Sequence, residues 1–142
     1  MGQPVARQGD LVITACLHQV QGQPNPPGPP VVAPVSHPFS ATLDQQLSQK
    51  VKIDGKFVVL QGSAGLAKGH VALSPPGTVP PASFVKPPNN RAEVMRGSGT
   101  VKIEGKPVAR IGDPVQTCSE LPPPHGTIAP GPGTPTQVLV GG

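Results

Sequence analysis

Val51-Lys52-Ile53-Asp54-Gly55-Lys56-Phe57-Val58-Val59-Leu60-Gln61-Gly62-Ser63 returns fifty residues later as Val101-Lys102-Ile103-Glu104-Gly105-Lys106-Pro107-Val108-Ala109-Arg110-Ile111-Gly112-Asp113, identical at seven of thirteen positions. The second half of this unit also opens the chain, because Pro4-Val5-Ala6-Arg7-Gln8-Gly9-Asp10 matches Pro107 to Asp113 at six of seven positions. Its missing first half closes the chain as Gln137-Val138-Leu139-Val140-Gly141-Gly142. Self-similarity of this kind sets the architecture before any other feature does. If the two ends meet, they complete a third copy. The expectation is a ring of three hairpins divided at one of them, with repeats near 4–10 with 137–142, 51–63 and 101–113.

Within each unit the local signals agree. Val51-Lys52-Ile53 alternates apolar and polar, Asp54-Gly55 and Glu104-Gly105 suit a type I′ turn, and Phe57 to Leu60 supplies a β-rich return strand. Gly9-Asp10, Gly62-Ser63 and Gly112-Asp113 end the return strands with pairs suited to leaving a sheet abruptly. Three Pro/Gly-rich arms lie between, at Gln21 to Pro38, Ser74 to Pro88 and Glu120 to Pro135. Proline fixes φ and removes a donor, so these arms are expected to run extended over the surface without joining the sheet. Leu43 and Leu47 give Ser40 to Lys50 a reading of one or two helical turns, and Ala92 to Met95 reads as a short strand.

Composition bounds the rest. A chain of 142 residues is expected to form one domain, 1–142, and it holds 22 prolines, 18 glycines, three phenylalanines and neither Trp nor Tyr. Its core must come from Val, Ile, Leu and Ala, thin for the length, so a metal or a bound partner is expected as a staple. The formal charge of +4 is spread along the chain, without the basic stripe and stacking aromatics of a nucleic-acid binder. No signal-peptide pattern and no membrane-length apolar run occur, so assembly in the cytoplasm is expected. Two cysteines about a hundred residues apart do not make a secreted disulfide framework, and a Cys16–Cys118 bridge is a minor alternative.

Six residues could hold a metal: Cys16, His18, His37, His70, Cys118 and His125. Their separations fit no local finger spacing. A hydrolytic zinc site would need an open position, with Glu120 or Asp113 as base, and the chain has neither His-Glu-x-x-His nor Gly-x-Ser-x-Gly. The expectation is therefore not an enzyme. Arg7 and Arg110, at equivalent positions, read as structural residues pairing with Asp10, Asp113 or carbonyls, and Lys52, Lys56, Lys102 and Lys106 as solvated edge charges. A single chain with threefold pseudo-symmetry has the surface needed to sit on the end of a true trimer, extending that partner's sheets.

Pro4-Val5-Ala6-Arg7 and Pro107-Val108-Ala109-Arg110, each leading one residue later into Gly-Asp, resemble the Pro-Ala-Ala-Arg signature of PAAR-repeat proteins. His37-Pro38-Phe39, Val51 to Gly55, Gly69-His70, Gly97-Ser98, Thr100 to Ile103, Thr117-Cys118 and Val138 to Gly141 extend the likeness along nearly the whole chain. Val5 and Val108 replace the signature's first alanine, and the middle copy, Phe57-Val58-Val59-Leu60, has lost it. The resemblance implies an all-β, small pointed cone of three pseudo-threefold hairpin repeats with long Pro/Gly-rich loops. It implies a structural spike tip, one copy per trimeric VgrG-like spike, in a type VI secretion, extracellular contractile injection or phage-tail-like particle. Such a tip meets the target membrane transiently when driven forward. It also implies an apex stabilised by structural Zn2+ held by three histidines and one cysteine, which maps onto His18, His37, His70 and Cys118. Cys16 is an alternative to His18, and His125 is left as a surface residue. A second functional reading is an adaptor that carries effector proteins on the Pro-rich arms.

Overall fold

The computed structural model describes residues 2–120, 126–133 and 135–141. Among them run thirteen strands and no helix. Three short antiparallel pairs carry the repeat: β1 (Gln3–Pro4) with β13 (Leu139–Val140), β4 (Lys52–Ile53) with β5 (Lys56–Phe57), and β9 (Lys102–Ile103) with β10 (Lys106–Pro107). Their registers are equivalent, since Leu139 faces Pro4 as Lys52 faces Phe57 and Lys102 faces Pro107. The two ends of the chain therefore meet and build the third hairpin from separate pieces. In the two continuous hairpins Asp54 and Glu104 both take φ 54°, followed by Gly55 at 78° and Gly105 at 80°, as a type I′ turn requires.

The three copies bond to one another in a cycle. Ala6 N–H donates to the Ala109 carbonyl, Ala109 N–H to Val59 and Val59 N–H to Ala6, at 3.0, 2.9 and 3.0 Å. A second cycle runs from Gln8 to Phe57, Gln61 to Pro107 and Ile111 to Pro4, at 2.8, 2.9 and 2.8 Å. Every donor in each cycle occupies the same repeat position, which is what rotation by a third of a turn demands. Ala6, Val59 and Ala109 are fully buried at this junction. Below them Val5, Val58 and Val108 pack with Ile53, Ile103 and Val140 into a small cluster of β-branched side chains.

Each return strand leaves the ring through the same turn. Gly9, Gly62 and Gly112 take φ 94°, 93° and 95°. The next side chain accepts a bond from the backbone three residues back: Asp10 from Arg7 at 2.8 Å, Ser63 from Leu60 at 2.9 Å and Asp113 from Arg110 at 2.7 Å. Ser63 thus does with a hydroxyl what the two aspartates do with a carboxylate. The arginines are structural: Arg110 pairs with Asp113 at 2.9 Å, while Arg7 reaches across to Asp54 at 3.0 Å. Leu60, at the matching position, is buried instead.

Beyond the exits, outgoing strands β2 (Leu11–Pro24), β6 (Ala64–Leu66) and β11 (Pro114–Gln116) alternate with incoming strands β3 (Val31–Thr42), β8 (Arg91–Val94) and β12 (Gly126–Ala129). The order is β3-β2-β12-β11-β8-β6, and bridges from Ala41 to Ala67 and from Gln45 to Ala64 bring its two edges together. This curled antiparallel sheet is all-β and consistent with a PAAR cone. Phe39, Leu43, Val12, Val94, Val115 and Ile128 fill its interior. At Gly65 the wall is too tight for a side chain, because a Cβ would stand 1.9 Å from the Thr42 carbonyl oxygen. Gly65→Ala is expected to cost roughly 3 kcal/mol or more, read as a lowered denaturation midpoint.

Two sequence expectations are corrected here. Ser40 to Lys50 forms no helix: Ser40–Thr42 ends β3, and Leu43 occupies the same return position as Val94 and Ile128, donating to the Asp10 carbonyl at 2.9 Å. Tertiary pairing overrides the Leu43/Leu47 spacing. The arms also do not stay off the sheet. β2 and β3 pair over twelve positions, from Leu11↔Thr42 to Gly22↔Val31, absorbing most of the first arm. Pro34 and Pro38 are four residues apart, so both present their nitrogens on one edge of β3, where no donor is needed. In the second arm β7 (Thr78–Phe84) joins β2 through Thr78, Val79, Ser83 and Phe84, its ladder broken around Pro80-Pro81.

Candidate metal site

The period of two along β2 turns Val12, Cys16, His18 and Val20 to the interior, all buried, while Ile13, Ala15 and Gln19 face out. Cys16 and His18 thus share one face, and in the ladder Cys16 stands opposite His37 of β3. Cys118 reaches the same place because its segment runs beside β2. Ser119 Oγ accepts from Leu17 N–H at 3.0 Å, and Glu120 N–H donates to the Leu17 carbonyl at 2.9 Å. His70 comes from the loop after β6, tied by its backbone N–H to Asn90 Oδ1 at 3.3 Å.

One ligand atom each from Cys16, His18, His70 and Cys118 lies within 4.8 Å of all the others. Cys118 Sγ is central, 3.3 Å from His70 Nε2, 3.6 Å from His18 Nε2 and 3.7 Å from Cys16 Sγ. Two sulfurs and two imidazoles suit zinc, whose structural sites are four-coordinate with such donors. Three of the residues named from the sequence, His18, His70 and Cys118, are gathered here together with Cys16. His37 lies against them, its ring centroid 5.7 Å from that of His18 and 5.6 Å from that of His70. Its nitrogens are engaged elsewhere: Nδ1 donates to the Val35 carbonyl at 2.9 Å, and Nε2 accepts from Leu73 N–H at 3.2 Å. Burial lowers its pKa below the ordinary histidine value, which keeps the ring neutral. His125 falls outside the described residues.

The surroundings of the cluster are polar on one side and aromatic on the other. His18 Nδ1 lies 3.5 Å from Glu120 Oε2, a partner that orients the ring with Nε2 toward Cys118. Phe84 packs on His18 and His37, with centroids 5.4 and 5.2 Å away, and so closes the cluster from the β7 side. Nothing in the sequence marks Phe84 except that it is one of three phenylalanines. The two thiols are coupled through their contact: the Cys118 S–H bond pushes Cys16 down, and the same contact with burial pushes Cys118 up.

The cluster is not at the far end of the fold, because β2 and β3 continue past it to Pro24 and Val31. No curated protein and no solved structure matches the chain significantly. The family model for the PAAR motif matches residues 86–142, which hold the repeat at 101–113, Cys118 and the closing strand. The cyclic bonding extends the same unit to the copy at 51–63 and to the N-terminal half, 4–10, of the copy that the closing strand completes, both outside that match, and the chain carries a PAAR motif consistent with a PAAR-repeat spike-tip protein.

Proposed function

We propose that the chain caps a trimeric, VgrG-like spike of a contractile injection machine, one copy per trimer, and sharpens it for puncture of a target membrane. The PAAR motif supports a spike-tip role in such systems. The observation that carries the finer reading is the threefold cycle of backbone bonds among Ala6, Val59 and Ala109. A trimer of identical subunits ends in three equal surfaces, and a single chain satisfies all three only if it repeats itself by rotation. Val51, Val101 and Val138 sit at equivalent positions at the start of the hairpins and all remain partly or largely exposed, giving each subunit the same apolar contact.

In this reading the function is mechanical. The thin core is held at two levels, by the hairpin ring and by a structural zinc ion at the Cys/His cluster, with His18, His70 and Cys118 as ligands and Cys16 or His37 completing the set. The metal would tie together β2, the loop bearing His70 and the segment after β11, which are otherwise distant in sequence. Assembly in the cytoplasm, before the particle is fired, belongs to the same proposal. Native mass spectrometry of the chain bound to its trimeric spike tests it. One copy per three spike subunits is expected, and three copies per trimer would overturn it.

A further inference from the structure

We propose that Cys16 and Cys118 form an intramolecular disulfide when the cluster holds no metal and the chain meets oxidising surroundings, a covalent staple that substitutes for the ion. Four possible ligands lie within reach of one another at this site, Cys16, His18, His70 and Cys118, and two of the four are thiols that can pair when no ion holds them. Both cysteines are free, and their sulfurs already touch at 3.7 Å, so closing to a bond of about 2 Å needs only a small side-chain adjustment. They are 102 residues apart in sequence, so the bond would restrict the unfolded chain strongly.

The two sulfurs have different roles. Cys118 is half-buried and lines a surface cleft of about 270 Å³ with Lys86, Asn89 and Glu120. Cys16 is fully buried behind it. The Cys118 sulfur, the one reached from the cleft, therefore reacts first with a small disulfide RSSR, forming Cys118–S–S–R and giving its proton to the released RS⁻. The Cys16 thiolate then attacks the Cys118 sulfur and displaces the second RS⁻. Two protein thiols are oxidised, RSSR is reduced to two RSH, and the two thiol protons end on the released RS⁻. The product has no thiolate left to ligate a metal, so the ion and the disulfide exclude each other. Neither step requires the chain to be a spike tip.

The test is to treat the folded, EDTA-stripped full chain with oxidised glutathione and follow it by intact mass and peptide mapping. A cross-link joining the Cys16 and Cys118 peptides is expected, with a melting temperature above that of the reduced, metal-free chain and reversal by dithiothreitol. Cys16→Ser should stop at the Cys118–glutathione adduct, with circular dichroism confirming its fold. Wild-type chain that keeps two free thiols, or that accumulates the Cys118 adduct without the cross-link, overturns the proposal. Preloading with zinc should slow cross-linking at least about tenfold by withholding the thiolate. A cross-link forming equally fast with zinc present would uphold the disulfide and count against Cys118 as a ligand, so the two readings fail separately.

Discussion

Removing residues 137–142 is expected to unfold the chain, although it takes away only a short terminal segment. A frayed end normally contributes little. Here β13 completes one of three wedges: Val138 accepts from Val5 N–H at 3.0 Å, and Val140 is 6% exposed within the lower core. The Gly141 carbonyl accepts from Ser98 Oγ at 2.6 Å and from Arg110 at 3.4 Å, tying the tail to the repeat at 101–113 and the residues just before it. Losing Val140 costs about 1.5–3 kcal/mol of apolar burial, and each lost backbone bond about 1 kcal/mol more. The sum approaches the whole stability of a small domain, roughly 5–15 kcal/mol. Circular dichroism should show no cooperative melt for the truncated chain. Val140→Asp should act in the same direction by placing a charge among Val5, Val58 and Val108. Leu139→Ser, at a side chain 60% exposed, should be close to neutral.

The second large effect is expected at the metal site. Purified chain should contain about one zinc ion, and Cys118→Ala or His70→Ala should lose both the ion and thermal stability. A structural zinc site contributes of order 10 kcal/mol in small domains, and removing one ligand forfeits most of it. The melting temperature of either variant should therefore fall by at least about 10 °C. EDTA should lower the wild type to the level of the variants and leave the variants unchanged. Cys118→Ala is the sharper of the two, since its sulfur is the atom nearest the other ligands. Elemental analysis of a native, cooperatively folding chain that holds no metal would remove the zinc reading and leave the hairpin ring intact.

The ring was legible because the repeat is written in the residues themselves. Asp54-Gly55 and Glu104-Gly105 announce their turns, and the match of Pro4 to Asp10 with Pro107 to Asp113 shows which half of the unit the N-terminus lacks. The long β2–β3 ladder was hidden by proline. Pro34 and Pro38 argue against a central strand, but their common parity suits an edge, and parity cannot be assigned until the partner is known. Leu43 and Leu47 mimic a helical pair, whereas Leu43 is placed by the threefold relation to Val94 and Ile128, residues with no resemblance in local sequence.

At the site, the alternation of Cys16 and His18 on one strand was a usable signal, since residues two apart in a strand share a face. That Cys118 would meet them depends on pairing between Leu17 and Ser119, which no spacing reveals. The contacts of Phe84 with His18 and His37 depend on β7 crossing from a proline-rich arm onto β2.

Hydrogen exchange at three amides tests the ring most directly. Ala6 stands five residues from the N-terminus and in an ordinary chain would exchange as a fraying end does. If it is one third of a closed cycle, its amide should exchange as slowly as those of Val59 and Ala109, all three opening only with global unfolding. An Ala6 amide that exchanges orders of magnitude faster than the other two would contradict a ring completed by the joined ends of the chain.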